Sequence, residues 1–186
     1  MDLNELLQHE FQYSCQNVSD INEHIPLLRW LGDQCESITE FGVRHGVSTR
    51  AFLSSSAKSF RLYDISSSER ISYIIDICRE HGMDVEYIIA NDLEITITPT
   101  DLLFIDTSHT YAQLSAELQR HHNQVRKYIV MHDTEYNGTV DEFGNSPALT
   151  GALLQFLAHH PEWHIRLHHT NNCGMTVIAR ANIVNI

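Results

Sequence analysis

The chain has 186 residues, with 12 lysines and arginines against 24 aspartates and glutamates, so its formal net charge is −12. A hydrophobic content of 42% is enough for one globular domain with its own core, which excludes a disordered chain. The negative charge argues against nonspecific nucleic-acid binding, because proteins that bind nucleic acids in this way carry basic patches.

The sequence contains neither a basic stretch followed by an apolar leader nor a run of 18 apolar residues. We therefore expect a cytoplasmic protein that makes no contact with a membrane. Four scattered cysteines form no CxxC pair and are predicted to be free thiols of a reducing compartment.

The predicted elements begin with a leading helical segment, residues 1–18, whose apolar residues have helical spacing over residues 3–13. One domain over residues 19–186 follows, and it opens with a helix that Ser19 or Asp20 caps and that runs toward Cys35. Strands and helices then alternate. The predicted strands are residues 37–40, 59–64, 85–90, 101–105 and 128–131, with helices at 47–56, 66–81 and 111–123 between them.

The chain ends with a predicted helix over residues 147–159 and a hairpin of strands 163–168 and 175–179. Five alternations of strand and helix indicate parallel pairing with crossover helices. The predicted fold is therefore α/β and Rossmann-like, a seven-stranded, mostly parallel sheet with helices on both faces and an antiparallel C-terminal hairpin.

Polar residues follow each of the five parallel strands at the end where the strand stops. They are Glu40, Asp64, the pair Asn91 and Asp92, Asp106, and the pair His132 and Asp133. In sheets of this kind, ligands bind outside the carboxyl ends of the strands. The sequence therefore predicts a functional site at this edge.

The turn after the first strand carries Gly42 and Gly46, which can let the backbone approach a ligand closely. The carboxylate of Glu40 beside it disfavours a phosphate and favours a nucleoside cofactor without pyrophosphate, such as S-adenosylmethionine (SAM). We predict that the amino-acid end of this cofactor meets a set of residues from this turn: Glu40, Gly42, Arg44, Gly46 and Ser48. Asp64 suits the two ribose hydroxyls, Asn91 and Asp92 the adenine, and Asp106 completes the set.

Asp106, His132 and Asp133 end adjacent central strands and supply the oxygen and nitrogen donors that a divalent cation needs. Mg²⁺ is the first choice, and His132 makes Mn²⁺ an alternative. His109, three residues after Asp106, is predicted to act as a general base together with that metal site. The polar, glycine-containing stretch 135–146 is predicted to cover the acceptor.

Three motifs in order, Glu-x-Gly-x-x-x-Gly-x-Ser from Glu40, Phe-Ile-Asp-x-x-His-x-Tyr from Phe104 and His-Asp-Thr from His132, resemble those of class I methyltransferases. The sequence is most similar to the metal-dependent O-methyltransferases of small molecules and sugars, the macrocin O-methyltransferase and cephalosporin hydroxylase-like group. The similarity covers roughly residues 20–180.

The resemblance implies that a hydroxyl of a small molecule or glycan is methylated by SAM with the help of a divalent cation. It also implies that Asp106 binds the metal, that His109 is the base, and that residues 132 and 133 complete the metal site. His132 departs from the pattern, since many relatives have Glu there.

Other interpretations remain open at this point: a nicotinamide-dependent oxidoreductase, a non-catalytic binding module with the cofactor fold, and a metal-dependent hydrolase. The turn reads G-x-x-x-G and not G-x-G-x-x-G, which argues against the first of these. The leading helix and the hairpin are candidate surfaces of a homodimer. The histidines at 159, 160, 164, 168 and 169 are not predicted to form a metal site, and His121 and His122 are predicted to be a solvated helix end.

Overall fold

The structure of the protein, a computed structural model, describes residues 2–183. The strands are β1 (Ser37–Phe41), β2 (Ser59–Asp64), β3 (Asp84–Ile89), β4 (Thr100–Ile105), β5 (Val125–His132), β6 (Trp163–His169) and β7 (Met175–Arg180). The α-helices are α1 (Leu3–Gln16), α2 (Ile25–Gly32), α3 (Val47–Leu53), α4 (Glu69–Glu80), α5 (Tyr111–His121) and α6 (Leu149–His159).

The seven strands form one sheet in the order β3-β2-β1-β4-β5-β7-β6. Strands β1 to β5 pair in parallel, and β7 lies antiparallel between β5 and β6. This confirms the predicted fold class. The strand order reverses between β1 and β4, which puts the switch point of the sheet at its centre.

Helices cover both faces of the sheet. On one face α1 to α4 pack against side chains such as Ile38 and Phe104, and on the other α5 and α6 pack against Leu103 and Ile129. Every residue of β4 is buried, as expected of a central strand covered on both sides. Within residues 2–183, no helix combines the length and apolar character needed to cross a membrane.

The segment before α2 differs from the predicted continuous helix. Ser19 accepts a hydrogen bond from the N–H of Ile21 and donates its own N–H to the side chain of Asn22. These local bonds form a turn instead of a helix cap. A short 3₁₀ turn follows, and α2 begins at Ile25 with Pro26 in its first turn, where a missing N–H costs least.

Helix α1 is packed into the domain. Leu7 and Phe11 are buried in the core, and the carboxylate of Glu10 lies 2.7 Å from Nε of Arg50. Arg50 is 2% exposed and also donates to the carbonyl oxygens of His45 and Gly46. The leading helix therefore supports the glycine turn through a buried ion pair.

The turn between β6 and β7 connects distant parts of the chain. The side-chain oxygen of Asn172 accepts the N–H of Glu23, and its amide donates to the carbonyl of Ser19. The carbonyl of Cys173 accepts the N–H of Tyr136 at 2.9 Å. One short turn thus holds both the segment before α2 and the segment after β5.

Candidate functional site

The predicted strand-end residues meet at one edge of the sheet, around a cavity of about 320 Å³. The parallel register brings the ends of β1, β2 and β4 together there. Six of the predicted residues line the cavity, namely Gly42, Arg44, Asp64, Asn91, Asp92 and Asp106. The volume is within the range of pockets that hold small ligands and cofactors.

Asp64 holds the loops on either side of the cavity. Its Oδ2 accepts the N–H of Arg44 at 2.7 Å, and its Oδ1 accepts the N–H of Ser66 at 2.9 Å. A carboxylate oxygen has two lone pairs, so Oδ2 keeps one of them for a donor from the cavity. Oδ1 also accepts the hydroxyl of Ser66 at 3.3 Å, and it can accept a donor from the cavity when that hydroxyl rotates away.

Gly42 is required by packing inside the protein, which differs from the expectation that it admits a ligand. It has φ +83°, and a Cβ atom there would lie 1.8 Å from the carbonyl oxygen of Asp106. Gly46 is similar, because its Cβ would lie 2.4 Å from Cδ1 of Ile71. Because both glycines lack a side chain, the turn can pack closely against Asp106 and Ile71.

Replacing Gly42 with alanine is expected to lower the free energy of unfolding by roughly 3 kcal/mol or more, because the turn must move away from Asp106. Gly82→Ala is a matched control, since Gly82 has the same φ of +83° and no atom within 4 Å of its Cβ position. The free energy of unfolding of the control should fall by only about 1–2 kcal/mol, the cost of placing alanine in a left-handed backbone conformation. Equal losses in urea denaturation would show that the contact with Asp106 is unimportant.

Glu40 does not face the cavity. Its side chain is fully buried behind the turn, where its two oxygens accept hydrogen bonds from the hydroxyls of Ser48 and Thr49. Glu40 and Ser48 bind each other and fix the start of α3. The fully buried Glu40 has no surface that a cofactor could touch, whereas the predicted contact of Ser48 stays a prediction, because Ser48 borders a second space beside the turn. Burial raises the pKa of Glu40 to about 8, against the smaller opposing effect of the two hydroxyls.

The raised pKa of Glu40 makes the stability dependent on pH. Between pH 4.5 and about pH 8 the folded protein keeps a proton on Glu40 that the unfolded chain has lost, so this group's contribution to stability falls as pH rises. Glu40→Gln mimics the protonated acid and should remove that slope. The difference in the free energy of unfolding between the variant and the wild type, measured in urea, should grow in favour of the variant by roughly 2–4 kcal/mol from pH 5 to pH 8. Glu36→Gln, on the surface, is the control. If the free energies of unfolding of Glu40→Gln and of the wild type changed with pH in parallel, the pKa of Glu40 would not be raised in the folded protein.

A smaller space of about 110 Å³ continues past the glycine turn and is bordered by Asp20, Arg44 and Ser48. The guanidinium of Arg44 lies 2.9 Å from the carboxylate of Asp20. Sequence analysis assigned Asp20 only to a helix cap and missed this position. An ammonium group would thus find a partner of opposite charge here in Asp20, and a carboxylate would find one in Arg44.

Beside the cavity, Asp106, His109 and Asp133 have ligand atoms within 4.8 Å of one another. Nε2 of His109 lies 3.0 Å from Oδ2 of Asp133 and 3.6 Å from Oδ1 of Asp106. Among the described residues, none hydrogen-bonds Oδ1 of Asp106, although this atom is buried. A buried carboxylate oxygen without a partner fits a divalent cation, which prefers such ligands.

His132 adjoins this cluster, and both of its ring nitrogens face acceptors. Nδ1 lies 3.0 Å from Oδ2 of Asp133, and Nε2 lies 3.2 Å from the carbonyl of Asn172. Burial would lower the pKa of His132, but the carboxylates of Asp106 and Asp133 outweigh it and raise the pKa to about 10. The ring is therefore a cationic donor that holds Asp133. The three residues whose spacing suits a metal ion are Asp106, His109 and Asp133, so His109 takes the place predicted for His132.

The same carboxylates act on His109. Burial would lower its pKa, but the adjacent carboxylates of Asp106 and Asp133 outweigh burial and raise the pKa to about 10. This differs from the near-neutral imidazole predicted from sequence. Without a cation on the two carboxylates, His109 holds its proton at neutral pH and cannot act as a base.

An open space of about 640 Å³ begins at His109 and Asp133 and is bordered by the loop after β5. Tyr136 lines it and is 77% exposed, so its ring is free to contact another molecule. Four carboxylates line this mouth, those of Asp20, Asp133, Asp141 and Glu142.

Gln113, which lines the cavity, and Glu117, which is buried behind it, were not predicted from the sequence. The amide of Gln113 donates to Glu117 at 2.9 Å and reaches the carboxylate of Asp92 at 3.3 Å. Burial raises the pKa of Glu117 well above its usual value, and the adjacent carboxylate of Asp92 adds to the effect. The amide of Gln113 therefore connects the two neighbouring carboxyl groups beside the cavity.

Known proteins share the fold of this chain but little of its sequence. No protein-family profile and no curated protein sequence matches the chain. A solved protein from Corynebacterium glutamicum is 16% identical, with a TM-score of 0.67 over 100% of this chain and 93% of that one.

Two further solved structures with similar folds are methyltransferases bound to S-adenosylhomocysteine. The Bacillus cereus O-methyltransferase is 17% identical, with a TM-score of 0.58 over 97% of this chain and 91% of that one. The 1,6-didemethyltoxoflavin-N1-methyltransferase of Burkholderia thailandensis is 12% identical, with a TM-score of 0.65 over 97% and 88% of the two chains. The chain therefore has the fold of the class I methyltransferases, as the sequence motifs predicted.

Proposed function

We propose that the protein is a SAM-dependent O-methyltransferase, assisted by a divalent cation, that acts on a hydroxyl of a small molecule or sugar. The observation that carries this proposal is the continuity between the cavity at Asp64 and the cluster of Asp106, His109 and Asp133. Asp106 borders both, so a cofactor and an acceptor can meet beside it. Since the same fold also serves N-methylation in the Burkholderia enzyme, the cluster, and not the fold, argues for an oxygen acceptor.

Different residues of the cavity would bind different parts of the cofactor. Asp64 would accept the two ribose hydroxyls, and Asn91 and Asp92 would meet the adenine. The carboxylate of Asp92 would accept the amino group of the adenine, because it lines the cavity. Asp20 and Arg44 would bind the ammonium and carboxylate of the amino-acid end. The bound homocysteine derivatives of the similar structures support this cofactor.

The cation would be held by Asp106 and Asp133, with His109 beside them and His132 orienting Asp133 from behind. Mg²⁺ suits the two carboxylates, and Mn²⁺ is acceptable beside an imidazole. When bound, such an ion supplies Lewis acidity that lowers the pKa of an acceptor hydroxyl.

His109 would take the proton of that hydroxyl. Its ring borders both the cluster and the open mouth, and its high pKa depends on the charges of Asp106 and Asp133. Neutralising these two carboxylates removes the cause of the high pKa and leaves an imidazole that can accept a proton. Most of the rate acceleration would come from holding the hydroxyl oxygen in line with the sulfonium methyl group.

The charge of the mouth restricts the acceptor. Of the described residues that line it, four are acidic and none is lysine or arginine. An anionic acceptor would meet repulsion there, whereas a neutral polyol or an amino sugar would not. Tyr136 offers a face on which a sugar ring can stack. We therefore propose a neutral or cationic hydroxylated acceptor.

Two measurements test the proposal. Calorimetric titration should show SAM binding in the micromolar range, and mass spectrometry should show Mg²⁺-stimulated methylation of neutral or amino sugars in preference to uronic acids. Absence of SAM binding with and without Mg²⁺ would overturn the function. Binding of NADH instead would favour an oxidoreductase, and preference for uronic acids would overturn the acceptor class alone.

A further inference from the structure

A second cluster of metal-binding side chains lies at the opposite edge of the sheet. His122 sits between α5 and β5, and His160 and Glu162 lie in the turn between α6 and β6. The ligand atoms of the three residues are all within 4.8 Å of one another. Since His122 precedes β5 and the candidate site follows it, the eight residues of the strand separate the two clusters by roughly 20 Å or more.

His122 has the surroundings of a metal-binding histidine. It is 5% exposed, and its Nδ1 lies 2.8 Å from the carbonyl oxygen of Leu118. Nδ1 must therefore carry the hydrogen, which leaves the lone pair on Nε2. A backbone carbonyl that fixes the second nitrogen in this way is the usual support of a ligating imidazole.

His160 lies against His122 and is positioned by its neighbours. Its ring stacks on Phe156 at 4.3 Å between centroids, and it lies 4.2 Å from the ring of His122. Nδ1 of His160 is 3.4 Å from a carboxylate oxygen of Glu162. The side chain of Glu162 is 40% exposed, so it can move by the ångström or so that a tetrahedral site requires.

We propose that His122, His160 and Glu162 bind a zinc ion, with water as the fourth ligand. Two imidazoles and one carboxylate form a donor set typical of Zn²⁺, while Mg²⁺ prefers oxygen ligands. Its three residues line neither the cavity nor the open mouth, so the ion would be separate from the proposed methyl transfer. It would fasten the start of β5 to the turn that leads into β6.

The inference is tested by titrating Zn²⁺ into protein that also carries Asp106→Asn and Asp133→Asn, which disable the first cluster. One Zn²⁺ per chain should bind, and either Glu162→Gln or His160→Gln should weaken this binding at least tenfold. His159→Gln is the control, because His159 is the exposed neighbour of His160 and does not belong to the group of residues with metal spacing. Unchanged affinity in Glu162→Gln, or no binding at all, would overturn the proposal.

A second measurement avoids the two asparagine substitutions. In the otherwise unmodified protein, the number of Zn²⁺ ions bound per chain should fall by one on Glu162→Gln and not on His159→Gln. Zn²⁺ should also raise the melting temperature less in Glu162→Gln than in His159→Gln. Equal stoichiometry and equal melting shifts in both variants would count against the site.

Discussion

Asp133→Asn is expected to lower the rate of methyl transfer roughly 10³-fold while SAM affinity changes less than about threefold, a loss of about 4 kcal/mol in transition-state stabilisation. Asp133 carries one of the two carboxylates proposed to hold the cation and also bonds to His109 and His132. Asparagine keeps the shape and tolerates the left-handed φ of 57° at this position. The backbone should therefore be preserved while the charge is lost.

The measurement is kcat at saturating SAM over a series of Mg²⁺ concentrations, with calorimetry for cofactor binding. Asp76→Asn, the same substitution on the exposed face of α4, should leave both unchanged. Unaltered kcat in Asp133→Asn would remove the cluster from the reaction. A rate that recovers fully at high Mg²⁺ would instead limit the role of Asp133 to metal affinity.

Asp64→Asn should weaken SAM binding roughly 100-fold, because a carboxylate that accepts two hydroxyls contributes about 1.5–3 kcal/mol for each such bond. The asparagine oxygen can still accept the N–H of Arg44, but the second acceptor at Ser66 is replaced by a donor. Calorimetry gives the affinity directly, and a melting curve without ligand detects any loosening of the two loops. A dissociation constant within threefold of the wild type would show that Asp64 supports the loops and does not bind the cofactor.

Much of this site was predictable because it follows from the topology. Parallel strands that alternate with helices end at the same edge, so Asp64, Asp106 and Asp133 had to lie near one another once the alternation was recognised. The motif around Glu40 identified the turn correctly. The sequence did not reveal that its glycines are needed for contacts inside the protein, with Asp106 and Ile71.

The parts that were not predicted depend on long-range burial. Gln113 and Glu117 are four residues apart on α5 and look like a solvated helix face, yet Glu117 is fully buried beside Asp92. His122 was predicted to be solvated and is buried for the same reason, since α6 covers it through Phe156. Spacing along the chain also cannot give the pKa of His109, which is set by carboxylates from two other strands.

The turn between β6 and β7 has a consequence for how the protein acquires its site during synthesis. Asn172 and Cys173 hold segments that were made some 150 and some 40 residues earlier, next to Asp20 and Asp133. A nascent chain that ends before this turn lacks those bonds as well as β7, which completes the pairing of β5. The chain must therefore emerge from the ribosome beyond β7 before the open mouth can close around its carboxylates.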